Sequence, residues 1–155
     1  MHAQFRLWEL EWSQARGWIE NEVELKPKSV LLKTIGSGHQ VVTAWESKWS
    51  GQLGPTSRGI YGAFCDAILS SSDPNTGGPP QLAGIYREGP AHHIGVIHQS
   101  KRYLQGMEVP EDGVLRSVEW RNDLFELCDG TTMQRLPTAQ RQPKPCVRLA
   151  PTLAS

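Results

Sequence analysis

The sequence predicts an α+β fold, mostly antiparallel β with one central α-helix, arranged as a meander or a partly closed barrel of about eight to nine strands. Two observations carry this prediction. Many short segments alternate apolar and polar residues, with turn-forming residues between them. A single window, residues 57–70, repeats its apolar residues at helical spacing instead.

The first two predicted strands form a tryptophan-rich hairpin. Alternation over 5–12 places Trp8, Leu10 and Trp12 on one face of a strand. After a turn, the segment 18–25 alternates apolar residues with a row of glutamates, which is typical of a strand with one solvated face.

The remaining strands are predicted from short apolar or alternating segments bounded by glycine, proline, asparagine and aspartate. They cover residues 30–35, 39–49, 82–87, 93–98, 102–109, 114–120, 124–128 and 131–136.

The predicted helix begins after an N-cap at Thr56 or Ser57. Gly59 and Gly62 each cost the helix about 1 kcal/mol relative to alanine, which is tolerable if a neighbouring group packs closely against them. The segment 70–81 that follows is rich in glycine and proline, and a loop this long is often functional or mobile.

The chain divides by composition into a single globular domain, residues 1–136, and a proline-rich basic tail or strap, residues 137–155. Three of the 16 basic residues and none of the 16 acidic residues lie in the tail, so residues 1–136 carry a net charge of −3. A protein that binds nucleic acid by neutralising phosphates usually carries a basic excess, so nucleic acid is an unlikely partner.

Cysteine usage and hydropathy predict a cytoplasmic protein without a membrane segment. The three cysteines are scattered and odd in number, which argues against a secreted disulfide framework. The first residues lack the pattern of a signal peptide, and no stretch approaches the roughly 20 apolar residues of a membrane helix.

The chain has six tryptophans, five of them within the first 49 residues. Core packing explains most such residues. The alternative is an aromatic-lined groove or a self-association surface, for which Trp45 and Trp49 are candidates. The sequence does not decide between core and surface.

The histidines at 92, 93 and 98 do not have the spacing of a metal site. Adjacent residues on a strand point to opposite faces, and His92 and His98 lie about 20 Å apart along a strand. We therefore predict no metal and no cofactor.

A small hydrolase-like enzyme would need a pocket between helix 57–70 and the sheet, under the 71–81 loop. Its candidate catalytic residues are Tyr61, Cys65, Asp66 and His93, with Tyr86 nearby. Cys65 lies near the middle of the helix, whereas catalytic cysteines favour helix N-termini or charged surroundings. A buried structural cysteine is the simpler interpretation.

No motif in the sequence determines the function. The leading hypothesis is a non-catalytic binding or protein-interaction module that self-associates, most simply as a homodimer, with a small molecule or a protein as possible partner. The small enzyme is the first alternative, and a weak single-stranded nucleic-acid binder is the second. The candidate binding residues are Asn75, Thr76, Gly77, Gly78, Trp45, Trp49, Lys101 and Arg102.

Overall fold

A computed structural model describes residues 5–85, 92–113 and 117–146. Eight strands and two helices lie in these residues, and the strands do not close into a barrel there. The α+β class and the mostly antiparallel pairing are confirmed. The elements are β1 (Leu7–Ser13), β2 (Gly17–Val23), α1 (His39–Leu53), α2 (Ser57–Leu69), β3 (Leu82–Gly84), β4 (His92–His98), β5 (Lys101–Leu104), β6 (Met107–Glu108), β7 (Trp120–Asn122) and β8 (Leu127–Cys128).

The β1–β2 hairpin is an independent two-stranded antiparallel sheet, as the alternation in 5–12 and 18–25 predicts. The turn closes at Gly17, whose φ of 70° is readily adopted only by glycine. The register pairs Trp12 with Trp18 and Leu10 with Glu20, so the alternate side chains of β1 share a face with those of β2.

The prediction of one central helix is wrong, because residues 39–49, expected as a strand, lie in helix α1. The apolar residues of this segment fit both the two-residue period of a strand and the 3.6-residue period of a helix. Val42, Trp45 and Trp49 recur at helical spacing, and the structure buries Val42 and Trp49 on the helix face that meets α2. Burial of this stripe against a second helix outweighs the weaker alternation.

Helix α2 confirms the prediction over 57–70, and the Thr56 side chain caps it by accepting a hydrogen bond from the Gly59 N–H. The indole of Trp49 fills the space beside Gly62, where an added Cβ would lie 2.3 Å from the ring. The indole Nε1 also donates to the Asp66 carboxylate at 3.0 Å. The glycine in α2 therefore provides the site for a tryptophan of α1.

The six-stranded sheet has the order β6-β5-β4-β7-β8, with β3 on the remaining part of β4. All pairs are antiparallel except β4–β7, which is parallel. Ile97, Trp120 and Cys128 form a core cluster on one face. Alternate residues of β4, including Ile94 and His98, point to the other face.

Several predicted strands are shorter than expected or absent. Residues 30–35 form no strand, and 131–136 contributes only one bridge, between Cys128 and Arg135. The segment 102–109 divides at a turn into β5 and β6. The predicted strands 82–87 and 124–128 keep three and two residues, as β3 and β8. The predicted strand 114–120 shares only Trp120 with β7, which continues to Asn122. Residues 86–87 and 114–116 lie outside the described residues.

Residues 137–146 run across the helix pair as an extended strap. Lys144 Nζ lies 2.9 Å from the Asp66 carboxylate, and Arg58 donates to the Gln140 carbonyl at 2.9 Å. The Gln142 N–H donates to the Glu126 carboxylate at 2.9 Å. The division of the chain at residue 136 stays a prediction. Neither described helix is long and apolar enough to cross a membrane.

Candidate functional site

A pocket with a volume of about 760 Å³ lies between the helix pair and the sheet. The segment 31–38 forms a further wall. Its apolar lining comes from both helices, β3, β4 and the 31–38 segment, and includes Ile35, Val42, Ile60, Phe64, Leu82 and Ile94. Volume and lining are typical of a small-molecule site.

Among the described residues, the walls of this pocket carry no acidic side chain, although basic ones are present. Lys33 and His39 contribute to the lining. Helix α1 begins at the pocket, and its N-cap, Gly38, has no side chain to bond the first N–H groups. The first turn of α1 contains no acidic residue, but the Asp73 carboxylate, which is bonded to Ser37, lies beside Gly38 and places negative charge at the positive end of the helix dipole.

The 70–81 loop borders two pockets. Asp73 organises it by accepting hydrogen bonds from Thr76 and Ser37, and these bonds lower the pKa of Asp73. Asn75 and Thr76 line the large pocket. Thr76 also lines a second cavity of about 240 Å³, together with the predicted binding residues at 77 and 78.

The predicted catalytic residues have different environments. Burial, reinforced by the nearby Asp123 carboxylate, raises the pKa of the Cys65 thiol well above its ordinary value. A thiol in this state is a poor nucleophile. Burial likewise raises the pKa of Tyr61, whose hydroxyl has no hydrogen-bond partner in the described part of the chain. Asp66 is bonded to Trp49 and Lys144, and His93 is exposed. Tyr86 lies outside the described residues.

Sequence reasoning missed a histidine–aspartate pair beside the 240 Å³ cavity. His98 Nδ1 lies 2.8 Å from an Asp123 carboxylate oxygen, and the histidine side chain is 5% exposed. His98 also lines the 240 Å³ cavity. The partners are 25 residues apart, at the end of β4 and after β7, and only the parallel β4–β7 pairing brings them together. A local pattern cannot reveal such a pair.

The tryptophan face of the hairpin is defined here as Trp8, Leu10, Trp12 and Trp18. These side chains are 42%, 63%, 65% and 70% exposed. The Trp12 and Trp18 rings meet edge to face, with centroids 5.5 Å apart. The opposite face is more covered, because Lys33 pairs there with Glu9 and Glu11.

The other predicted binding residues make contacts within the chain. Trp49 is buried, and Trp45 is half-buried beneath the Lys48 ammonium, 4.5 Å from its ring centroid. Lys101 pairs with Glu108 at 2.8 Å, and the buried Arg102 donates to the Gly130 and Thr131 carbonyls. Nucleic-acid binding through the last two stays a prediction.

Comparison with known proteins adds no family assignment. No family model, curated protein or solved structure matches this chain. Within the described residues, no group of three or more histidine, cysteine, aspartate or glutamate side chains is arranged to hold a metal ion.

Proposed function

We propose that this protein is a non-catalytic interaction module that self-associates into a homodimer through its tryptophan face. One observation carries the proposal. Four large apolar side chains stand exposed together on one face of a hairpin, and no other described strand or helix packs extensively against that hairpin. Contiguous exposed apolar surface of this kind typically marks an interaction site.

The charge pattern favours a second copy as the occupant. Trp8, Leu10 and Trp12 form an uncharged row on β1, whereas the carboxylates of this face, Glu20 and Glu22, belong to β2. A two-fold axis parallel to the strands can stack β1 on the partner's β1. The two acidic rows then lie at opposite rims, and the contact has an apolar centre and a polar edge.

A basic partner is less well supported. Glu22 is hydrogen-bonded to Arg6 at 2.9 Å, and Glu24 to Lys26 at 2.6 Å. Glu22 is thus compensated within the chain, which leaves Glu20 as the carboxylate of this face, as described, to attract cations. A second copy of the same apolar face is therefore a better-supported partner for the hairpin than a basic protein.

Sedimentation velocity over a range of protein concentrations tests the proposal. The wild-type chain is expected to reach twice the chain mass as the concentration rises. Leu10→Asp should weaken the dimer by about 2 kcal/mol or more, roughly 30-fold, because it puts a charge at the centre of the contact.

Leu7→Asp is the matched control. Leu7 lies on the same strand and is 42% exposed, but it points to the opposite face. It should leave the dimer unchanged. A wild-type chain that stays monomeric, or equal weakening by both variants, would refute dimerisation through this face.

A small hydrolase-like enzyme is the second candidate, and the His98–Asp123 pair favours it. A carboxylate on Nδ1 fixes the imidazole so that Nε2 can act as a general base toward a bound water. The test is hydrolysis of small p-nitrophenyl esters. Activity should be lost in His98→Gln and kept in His39→Gln. A wild-type rate equal to that of buffer would eliminate this candidate.

A further inference from the structure

We infer that the 760 Å³ pocket between the helix pair and the sheet binds an uncharged, mostly apolar small molecule with a hydroxyl or carbonyl group at one end. This inference goes beyond self-association and does not depend on it, because the tryptophan face is formed by different residues. It rests on the apolar walls of the pocket and on the partners that the charged groups at its rim already have within the chain.

The walls of the pocket determine the apolar part of the ligand. Ile60 and Phe64 of α2 and Leu82 of β3 belong to the lining. Phe125 adds an aromatic ring, which packs edge to face on Tyr61 with centroids 5.5 Å apart. Such walls give affinity by removing apolar surface of the ligand from water.

The ammonium of Lys33, at the wall of the pocket, is already paired. It is hydrogen-bonded to the Glu9 carboxylate, and its Nζ lies 3.7 Å from a carboxylate oxygen of Glu11. Two carboxylates beside one ammonium leave Lys33 no positive charge to offer a ligand. An acidic head group would therefore give up its hydration in the pocket without gaining a free cation, which costs free energy.

The Asp73 carboxylate at the same rim is engaged as well. It accepts hydrogen bonds from the Thr76 and Ser37 hydroxyls and from the Asn75 N–H, and all three donor residues belong to the pocket lining. It also lies beside Gly38, at the positive end of the α1 dipole. A cationic head group would meet a carboxylate whose hydrogen bonds and field are already used, so neither sign of charge is favoured by these groups.

Uncharged polar groups of the lining can hold one end of a neutral ligand. His39 Nδ1 lies 3.1 Å from the Gly36 carbonyl oxygen, which can only accept, so Nδ1 donates and Nε2 of the neutral ring is left as an acceptor. The amide of Gln81, also in the lining, can both donate and accept. A few such groups around an apolar cavity are the usual arrangement for orienting a ligand, and a hydroxyl or carbonyl matches them.

The experiment compares three probes that share one alkyl chain and differ in the head group. Decanol, decanoate and decylammonium, each below its solubility or micelle limit, compete with the uncharged dye N-phenyl-1-naphthylamine for the wild-type full chain. At about pH 8, imidazole side chains are uncharged and both ionic probes keep their charge. Decanol is expected to displace the dye at a concentration about tenfold lower than either ion. Equal potency, preference for either ion or no saturable dye binding would overturn the inference.

Two pairs of variants locate the site and test the role of charge. Ile60→Lys adds an ammonium with no paired carboxylate to the wall, so it should lower the tenfold preference for decanol over decanoate to about threefold or less. Leu69→Lys makes the same kind of change at an exposed position of α2 outside this pocket and should leave the preference unchanged. Gln81→Lys, exposed at the rim, repeats the test with less risk to folding, and Gln134→Lys, exposed outside the pocket, is its control. Equal effects of the pocket and control variants would contradict the assignment.

The dimer variant separates this inference from the proposed function. Leu10→Asp should bind decanol as the wild type does, since Leu10 is not among the pocket residues. Loss of decanol binding in Leu10→Asp would overturn a pocket independent of the tryptophan face.

Discussion

The helix pair and the hairpin both contain tryptophan, but the helix pair buries Trp49 whereas the hairpin leaves Trp18 exposed. Trp49 in α1 is 1% exposed, whereas Trp18 in β2 is 70% exposed. The difference lies in what the rest of the chain offers. Gly62 and Asp66 of α2 give Trp49 a space for its ring and an acceptor for its N–H. Trp18 contacts the ring of Trp12, but no comparable recess in the described residues accommodates it. Trp49 is therefore part of the core, because Gly62 leaves space for its ring. Trp18 has no such space and stays exposed, so its ring can contact a partner.

The largest expected effect is on folding stability. Trp49→Ala should lower the free energy of unfolding by about 3–5 kcal/mol, because it leaves a cavity and an unpaired Asp66 carboxylate oxygen. Trp18→Ala should lower it by about 1 kcal/mol or less, since only an exposed ring contact is lost. Denaturant unfolding at low protein concentration measures both. Similar losses of unfolding free energy in the two variants would contradict the distinction between the buried and the exposed tryptophan.

Glycine substitutions sharpen the same comparison. Gly62→Ala places a Cβ 2.3 Å from the Trp49 ring and should cost about 1–3 kcal/mol. Gly51→Ala, in α1 with nothing within 4 Å of the added Cβ, should stabilise the protein by about 0.5–1 kcal/mol. The two changes are chemically identical, so thermal unfolding of both variants isolates the contact. A neutral Gly62→Ala would show that the ring packs elsewhere.

The helix pair and the hairpin also differ in their contact with the strap, residues 137–146, which crosses the helix pair and not the hairpin. Glu126 anchors it through the Gln142 N–H. Although burial opposes this, hydrogen bonds from Asn122 and Gln142 and the charges of Arg135 and Arg141 lower the pKa of Glu126. A lowered pKa means that the contribution is present at neutral pH and is lost as the pH falls through the folded-state pKa.

Glu126→Gln should therefore cost about 1–2 kcal/mol at neutral pH. The deficit should shrink below about pH 4, where the wild-type carboxyl also takes up a proton. Urea unfolding of both proteins at the two pH values measures the change. A deficit independent of pH would show that the charge of Glu126 does not hold the strap.

The sequence predicts the hairpin well because its information is local. Alternation over 5–12 and 18–25 identifies both strands and the face that carries the tryptophans. It fails at α1, where Val42, Trp45 and Trp49 support a helix only if a partner covers them. The partner is α2, and its Gly62 is unfavourable for a helix until Trp49 is in place.

The candidate sites, like α1, depend on contacts that local sequence patterns do not predict. A pocket between helix 57–70 and the sheet is a natural expectation for an α+β domain, yet one wall comes from 31–38, which has no regular structure. The His98–Asp123 pair depends on β4 and β7 running parallel. These contacts join residues far apart in the chain, and no spacing in the sequence encodes them.

The most direct test of the central claim uses the tryptophans themselves. The chain is labelled with 5-fluorotryptophan, and its six ¹⁹F resonances, assigned by Trp→Phe variants, are followed as the protein concentration rises. Self-association through the tryptophan face predicts that the resonances of Trp8, Trp12 and Trp18 shift or broaden, while those of Trp49 and Trp120 stay fixed. Fixed hairpin resonances, or changes confined to the helix pair and the sheet, would contradict the account.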